Sequence, residues 1–88
     1  MKKLVRAYVD KKEMAREIAR TLLDRKLATS VEIVEVEVYT MDDSSQNTVE
    51  RLTNKVTAIC GEANAGDCIE AFEGCGVYRD IDVLPVDK

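Results

Sequence analysis

Residues 31–39 read Val-Glu-Ile-Val-Glu-Val-Glu-Val-Tyr and give the clearest indication of the fold class. From Val34 onward apolar and acidic residues alternate, a period of two that is typical of a strand with one buried face. β-Branched residues dominate the stretch and favour extended backbone. The alternation predicts that the last three valines face the core and that Glu35, Glu37 and Tyr39 face the other side. The sequence on either side must then supply the neighbouring strands.

Two predicted elements precede this strand. Residues from Lys3 to Val9 alternate in the same way and predict a first strand with Val5 on its buried side. From Lys12 to about Ala28 apolar residues recur every three or four positions, which predicts an amphipathic helix. Asp10 and Glu13 have the spacing of a capping box, in which the first carboxylate accepts backbone N–H groups of the first helical turn. We therefore expect Asp10 to cap this helix.

A polar segment follows the valine-rich strand. Thr40 to Thr48 is rich in turn-forming residues and predicts an exposed loop, and Thr48 to Leu52 is compatible with one further helical turn. Apolar and polar residues then alternate from Asn54 to Cys60, which predicts a third strand closed by Gly61.

The C-terminal part predicts a second helix and a fourth strand. Apolar residues at positions 65, 68, 69 and 72 form the stripe of a shorter helix. Gly74 or Gly76 supplies the left-handed residue that ends it. Val77 to Val83 predicts the fourth strand, after which residues 84–86 leave the edge of the sheet.

The order of elements indicates the fold class. Strand, helix, strand, strand, helix, strand over residues 1–88 is one α+β domain. Because βαβ crossovers are right-handed, this order predicts a ferredoxin-like βαββαβ fold, a four-stranded antiparallel sheet with two helices on one face. The first and third strands are central in it, with the fourth beside the first and the second beside the third.

This topology predicts a charge pattern on the face of the sheet away from the helices. The central strands carry bases there and the edge strands carry acids, so opposite charges can pair across neighbouring strands, each pair contributing about 0.2–1 kcal/mol. The residues predicted on this face are Arg6, Tyr8, Glu35, Glu37, Lys55, Thr57, Asp80 and Asp82.

Size and composition narrow the class of protein. The 88 residues can bury only one modest core, so we expect self-association to cover apolar surface. A net charge of -4, with basic residues interleaved among acids, argues against nucleic acid and against an anionic membrane surface. No apolar run approaches the roughly 20 residues of a membrane span. Three cysteines without a secretion signal favour a soluble protein of the reducing cytoplasm.

Residues 13–23 read Glu-Met-Ala-Arg-Glu-Ile-Ala-Arg-Thr-Leu-Leu, and residues 27–33 read Leu-Ala-Thr-Ser-Val-Glu-Ile. These two stretches resemble the first helix and second strand of CutA-type proteins, a family within the wider P-II-like group. Tyr78 and residues 84–86 (Leu-Pro-Val) resemble its last strand. The resemblance implies a ferredoxin-like fold, a homotrimer formed through the sheets, and ligand sites in the clefts between subunits.

The sequence also departs from the family pattern. Ser30 stands where CutA proteins typically carry a cysteine and Met41 where they carry a tryptophan, and the chain has no tryptophan and no histidine. The segment 42–54 occupies the position of the mobile loop of P-II-like proteins, without their basic and glycine-rich signatures for ATP. The ligand is therefore left open, and so is the choice between a trimer and a dimer.

The leading hypothesis is a non-enzymatic regulatory or sensing protein, with a role such as metal tolerance. Its loop at about residues 40–53 would change conformation when a small ligand or divalent metal occupies an intersubunit cleft. Carboxylates and thiolates bind divalent metals, so the candidate metal ligands are Asp42, Asp43 and Cys75. The candidate ligand-binding or partner-binding residues of the loop are Tyr39, Met41, Asp42, Asp43, Gln46, Asn47 and Arg51.

Two other classes of function stay open. An accessory or structural subunit would dock a larger partner through its sheet face or through the same loop. A small-molecule-modifying enzyme is disfavoured because the chain has no histidine and no nucleophile motif, so no catalytic residue is assigned. Cys60 and Cys68 lie on apolar phases of their elements and predict buried thiols without a chemical role.

Overall fold

The computed structural model describes residues 1–41, 48–77 and 81–86. Within those ranges the order is β1 (Lys2–Val9), α1 (Lys12–Asp24), β2 (Ser30–Met41), β3 (Thr48–Gly61), α2 (Ala65–Gly74) and β4 (Asp82–Pro85). A 3-10 turn, Glu62–Asn64, leads from β3 into α2. The predicted βαββαβ order is therefore confirmed.

The strands form one antiparallel sheet in the order β2-β3-β1-β4. The central positions of β1 and β3 and the place of β2 beside β3 are as predicted. Val31 lies opposite Ala58, and Val5 lies between Ala58 and Val83. Right-handed crossovers account for this order, because each helix must return the chain to a strand that is not its immediate neighbour in the sheet.

One apolar core lies between the sheet and both helices. Alternate residues of β1 and β3 and one stripe of each helix are buried in it, which is what the period of two and the helical spacing predict. Each fully buried large side chain stabilises the fold by about 1.5–3 kcal/mol. The core residues of these four elements are Val5, Ala7, Val9, Ala15, Ile18, Leu22, Val56, Ala58, Cys60, Cys68, Ala71 and Phe72.

The two faces of β2 are the reverse of the prediction. Ile33 lies opposite the buried Val56 and packs against the core. Because residues directly opposite share a face, Glu35 and Glu37 lie on the helix side. The apolar phase of the sequence changes at the step from Ile33 to the next valine, and the prediction followed the longer run. On the face away from the helices, the open face, β2 places Val34, Val36 and Val38.

The charge pairing of the open face is half confirmed. Arg6 Nη2 lies 3.1 Å from Asp82 Oδ2, across β1 and β4 as predicted. Lys55 lies opposite Val34 instead of an acid, so the predicted pairing of β3 bases with β2 acids is wrong. The predicted Asp80 lies outside the described residues.

Asp10 does not cap α1, contrary to the prediction. The N-cap residue is Lys11, and its side chain makes no capping hydrogen bond. Asp10 Oδ1 instead accepts a 2.8 Å hydrogen bond from Thr53 Oγ1, while Asn54 Nδ2 donates to the backbone oxygens of Val9 at 3.0 Å and Asp10 at 3.3 Å. These four residues, Val9, Asp10, Thr53 and Asn54, form the β1–β3 corner, which fixes the end of β1 against β3.

Both helices end in the same hydrogen-bonded motif. After α1 the N–H of Lys26 donates to Leu23 O, and the N–H of Leu27 donates to Leu22 O. Helix α1 therefore ends at Asp24, before the predicted end near Ala28. After α2 the N–H of Gly76 bonds to Glu73 O. The left-handed residue is Gly76 in α2, with φ 89°, and Lys26 in α1, with φ 59°. Gly76 thus ends α2 as predicted, whereas Lys26 holds a conformation that is costly for a side chain.

The remaining boundaries differ in two places. Thr48 to Leu52, predicted to allow a helical turn, belongs to β3. Leu84 and Pro85, predicted to leave the sheet, pair with β1, and Val77 lies outside the strand. Among the described residues no helix is long and apolar enough to cross a membrane.

Candidate functional site

The β2–β3 hairpin projects beyond the body of the domain. Strand β1 ends opposite Asn54, whereas β2 and β3 stay paired as far as Met41 and Thr48. We call residues 36–41 and 48–53 the hairpin arm. Six residues of strand are about 20 Å long. The arm accounts for much of the 44 Å length of a domain that measures 28 and 20 Å in its other directions.

Part of the predicted ligand loop is strand. Tyr39, Met41 and Arg51 lie on paired strands of the arm, so the prediction of a loop over residues 40–53 is wrong at 40–41 and 48–53. The other predicted loop residues, Asp42, Asp43, Gln46 and Asn47, lie outside the described residues. A ligand-binding role for these side chains stays a prediction.

The arm separates the three described loop candidates. Tyr39 lies opposite Glu50 and shares a face with Met41 and with Leu52, whereas Arg51 lies opposite Val38 on the open face. Tyr39, Met41 and Leu52 are 57%, 65% and 62% exposed. The structure therefore brings two candidates together in an exposed apolar cluster, Tyr39–Met41–Leu52, and places the third on the other side.

Acidic groups surround the phenol of this cluster. Tyr39 Oη donates a 2.7 Å hydrogen bond to Glu37 Oε1. The hydrogen bond to Glu37 is the main cause of a raised pKa of Tyr39, followed by desolvation and a hydrogen bond to Glu50. All three disfavour the phenolate. Tyr39 is therefore a hydrogen-bond donor at neutral pH, and its ring is free to pack against an apolar surface.

The open face carries apolar side chains in two groups. Leu4 lies between Ile59 and Leu84 at one end of the sheet. At the other end are the three valines of β2, of which Val34 is 46% exposed. Between these groups lies the Arg6–Asp82 ion pair, whose side chains are 34% and 49% exposed. An uncovered sheet face of mixed apolar and charged character is suited to contact with another protein surface.

The sequence analysis predicted that these valines face the core, and it did not identify Asn54 as a buried polar residue. Asn54 is 4% exposed, and its Oδ1 has no hydrogen-bond partner within the part of the chain that the structure describes. An asparagine on the buried phase of an apolar strand, two positions before Val56, was the available signal. Its Nδ2 group accounts for the position of the residue, because it donates to the backbone oxygens of Val9 and Asp10.

The structure gives the three cysteines different surroundings. Cys60 and Cys68 are buried, as predicted, and Cys75 is partly exposed. Burial and then the negative charge of Glu17 raise the pKa of Cys75, which lowers its thiolate fraction at neutral pH. Metal binding by Cys75 stays a prediction. Over residues 1–41, 48–77 and 81–86 no group of three or more Cys, Asp or Glu side chains could hold a metal ion.

The carboxylates do not form an active site in the described residues. Strands β2 and β4 are the two edges of the sheet, so Glu35 and Glu37 are separated from Asp82 by β1 and β3. Glu35 Oε2 lies 4.0 Å from Lys12 Nζ, a solvent-exposed pair. A shallow cavity of about 510 Å³ lies along the start of α1 and is lined by Lys11, Lys12, Glu13, Met14 and Glu17.

Solved structures of CutA-type proteins are similar to this chain. The divalent cation tolerance protein (Cut A1) from Thermus thermophilus matches with a TM-score of 0.82 and 23% identity over 100% of this chain and 86% of that one. The periplasmic divalent cation tolerance protein CutA from Archaeoglobus fulgidus gives 0.83 and 17% identity over 100% and 86%. CutA1 from a psychrotrophic Shewanella gives 0.83 and 19% identity over 99% and 82%.

No protein-family model and no curated protein matches the sequence. Identities of 23%, 17% and 19% support a statement about architecture, and the predicted likeness to CutA is confirmed at that level. The chain therefore has the ferredoxin-like α+β fold of the CutA-type proteins.

Proposed function

We propose that this chain is a non-enzymatic regulatory or sensing protein. It assembles through the open face of its sheet into a homotrimer and binds a small ligand or a divalent cation in the clefts between subunits. The observation that carries the proposal is the phase of β2, which leaves Val34, Val36 and Val38 on a face that no helix of the described chain covers.

The length of β2 supports assembly. Strand β2 is at the edge of the sheet, and no described strand pairs with its outer side. Natural proteins cover or interrupt such an edge, because its free backbone groups can pair with another chain. The hairpin arm continues past β1, and among the described residues no helix lies behind it, so these residues leave its apolar cluster exposed. A second and third copy of the chain would cover edge, face and arm together.

The structural likeness supports the choice of ligand class. Proteins of this fold from Thermus thermophilus and Archaeoglobus fulgidus are called divalent cation tolerance proteins. In this chain the predicted acidic ligands are Asp42 and Asp43, which follow Met41 in the sequence. Hard divalent cations prefer such carboxylate oxygens.

Assembly is tested with Val34→Glu and Leu23→Glu. The two side chains are similarly exposed, 46% and 44%, but Leu23 lies on α1. Within one chain a glutamate at position 34 would face Lys55, so folding is preserved, whereas in an interface it would bury a charge.

The measurement is light scattering after size exclusion at a fixed protomer concentration. We expect the wild type and Leu23→Glu at three times the 9.8 kDa chain mass, and Val34→Glu at the mass of a monomer. A monomeric wild type, or a Val34→Glu variant that keeps the wild-type mass, would reject assembly through this face.

Ligand binding is tested separately on the assembled protein. A ligand present at about 100 times its Kd stabilises the folded state by about 2.7 kcal/mol, which a thermal-shift screen of divalent cations and nucleotides detects. We expect stabilisation by at least one of them, and Asp42→Asn with Asp43→Asn should remove a cation response. A screen without any stabilisation would reject the sensing role and leave the assembly result unaffected.

The Tyr39–Met41–Leu52 cluster favours a second candidate function, that of an accessory subunit which docks a larger partner through the arm. Its three side chains are each more than half exposed. The two functions differ in their first measurement, because an accessory subunit would be monomeric alone and would enter a heteromeric complex. Tyr39→Ala should then weaken capture of the partner while leaving the mass of the isolated chain unchanged.

A further inference from the structure

One side of the hairpin arm continues the face of the sheet that the helices cover. Helix α1 packs mainly against β2 and β3. Its start lies at the root of the arm, where Lys12 Nζ is 4.0 Å from Glu35 Oε2. Beyond this point the two strands run on without α1 as far as Met41 and Thr48. We call this side the arm face, and its residues, all of them exposed, are Glu37, Tyr39, Met41, Thr48, Glu50 and Leu52.

The arm face has the dimensions of a site for one helix. In the body of the domain two helices cover four strands, so that one helix covers about two strands. The arm has two strands and a length of about 20 Å, which matches a helix of about 13 residues at a rise of 1.5 Å per residue. Tyr39, Met41 and Leu52 are each more than half exposed, and a group of exposed apolar side chains on one face marks a site of interaction.

The charges of the arm face select a basic partner. Glu37 and Glu50 lie on it, and no ion pair between residues that the structure describes includes either carboxylate. The hydrogen bond from Tyr39 Oη to Glu37 leaves the negative charge in place. Docking of an apolar surface would remove water from both carboxylates, which is costly unless the partner brings cations to them. A matching partner therefore carries Lys or Arg beside its apolar side chains.

The same charges disfavour other occupants. Nucleic acid and an anionic membrane surface would meet the two carboxylates of the arm face with no basic residue among its six members. A second copy of the chain brings a net charge of -4. Copies that assemble through the open face would cover the arm from its other side, where Val36 and Val38 lie, and would leave the arm face accessible.

We propose that the arm face binds a basic amphipathic helix of a partner protein. The apolar stripe of that helix packs on Tyr39, Met41 and Leu52, and its Lys or Arg side chains lie beside Glu37 and Glu50. The docked helix extends the layer that α1 forms over β2 and β3. The proposal rests on docking through the arm, the second candidate function above, and gives the chemistry of the partner.

The probe is a labelled peptide of about 13 residues made of Leu, Ala and Lys, with Leu at helical spacing and Lys on both flanks of the stripe. A matched peptide has Glu in place of every Lys. Fluorescence anisotropy at low ionic strength gives the Kd of each peptide for the wild type, Leu52→Ser and Leu23→Ser. Leu23 is the control because it is an exposed leucine near the end of α1, away from the arm.

We expect the wild type and Leu23→Ser to bind the Lys peptide with similar Kd and to leave the Glu peptide unbound. Leu52→Ser should bind the Lys peptide about tenfold more weakly or worse, because the apolar contact at the centre of the face is lost.

The double variant Glu37→Gln with Glu50→Gln tests the charge. It should bind the Lys peptide roughly threefold to tenfold more weakly than the wild type, and the difference should shrink at physiological ionic strength. Glu62→Gln with Glu70→Gln is the matched control, since it removes the same charge from exposed positions outside the arm and should keep the wild-type Kd.

Three results would overturn the proposal. Equal binding of both peptides that Leu52→Ser abolishes would reject the basic partner and leave docking through the arm intact. No binding of either peptide, or binding that the serine and glutamine variants of the arm keep, would reject a helix site on this face. A change in the light-scattering mass of Leu52→Ser that Leu23→Ser does not share would identify a second copy as the occupant. Circular dichroism verifies folding, and should Leu52→Ser fail to fold, the glutamine pair, which keeps the side-chain shape, decides the question.

Discussion

The β1–β3 corner makes a quantitative prediction for Asn54→Asp. The substitution keeps the shape of the side chain and replaces the Nδ2 donor by an acceptor oxygen. That oxygen would stand where Nδ2 now lies, 3.0 Å from Val9 O and 3.3 Å from Asp10 O. Because the position is 4% exposed, water cannot take over the lost donor role.

The expected loss of stability has two parts. Two hydrogen bonds of about 1 kcal/mol each disappear, and leaving a buried acceptor or charge unpaired adds about 1–3 kcal/mol. We therefore expect a loss of about 3–5 kcal/mol at pH 7. For a domain of this size each kcal/mol lowers Tm by about 4–8 °C.

The effect should depend on pH in a defined direction. A protonated carboxyl can still donate one hydrogen bond to a carbonyl oxygen, so the folded state favours the protonated form and raises the pKa of the introduced group above its unfolded value near 4. The variant is then closest to the wild type below pH 4. The gap widens as the pH rises above the unfolded pKa, until the folded carboxyl is also ionised.

The assay is urea unfolding at pH 3.5 and pH 7 at one protomer concentration, since assembly would make stability concentration-dependent. Asn64→Asp is the matched control. Asn64 is the N-cap of α2, where a negative charge is favourable, so the same exchange should change stability by less than about 0.5 kcal/mol. An Asn54→Asp variant within about 1 kcal/mol of the wild type at pH 7, or a loss that is the same at both pH values, would refute the reasoning.

Three further predictions concern the helices and the core. Lys26→Gly should raise the free energy of unfolding by about 1 kcal/mol in urea titrations, because φ is 59° there, whereas Gly76→Ala, at φ 89°, should lower it by about as much. Phe72→Ala, at a fully buried position, should cost about 3–5 kcal/mol, against less than about 1 kcal/mol for Val83→Ala on the exposed β4. The pKa of Cys68 rises from 9.0 to about 12 on folding. The free energy of unfolding should therefore fall by up to about 1.4 kcal/mol per pH unit above pH 9. The Cys68→Ala variant should lack this contribution when its free energies of unfolding at pH 8 and pH 10 are compared.

Hydrophobic periodicity correctly predicted β1, β3 and α1, because each of these elements keeps one pattern of apolar residues along its buried side. Strands β1 and β3 alternate without interruption around Val5 and Val56, and α1 repeats its apolar positions for three turns. The predicted topology followed from the order of elements and one rule of handedness. For this reason the fold could be predicted from the sequence.

The side that β2 buries could not be read from its pattern. Val31 and Ile33 alternate in one phase and the following valines in the other, so the sequence allows both orientations. The packing of the helices against the sheet decides which orientation β2 takes, and it buries Val31 and Ile33. This packing is a tertiary property. The candidate site depended on the same information, because the reversed face moved Glu35 away from Lys55.

The polar composition after β2 misled the prediction in another way. Thr48 to Leu52 contains charged and polar residues, yet strand pairing with β2 satisfies its backbone groups. Asp10 shows the same limit at short range. It has the right spacing for a helix cap, but Thr53 competes for its carboxylate from a strand 43 residues away in sequence.

The change of phase within β2 divides one strand between two selective pressures. Its first residues complete the interior of each chain, so exchanges at Val31 or Ile33 are constrained by whether a single molecule folds. Its later residues face away from that interior, and under the proposed assembly exchanges at Val34, Val36 or Val38 are constrained by the fit between subunits. Over evolutionary time the two halves can therefore diverge at different rates, and a paralogue could acquire a new assembly while its monomer remains unchanged.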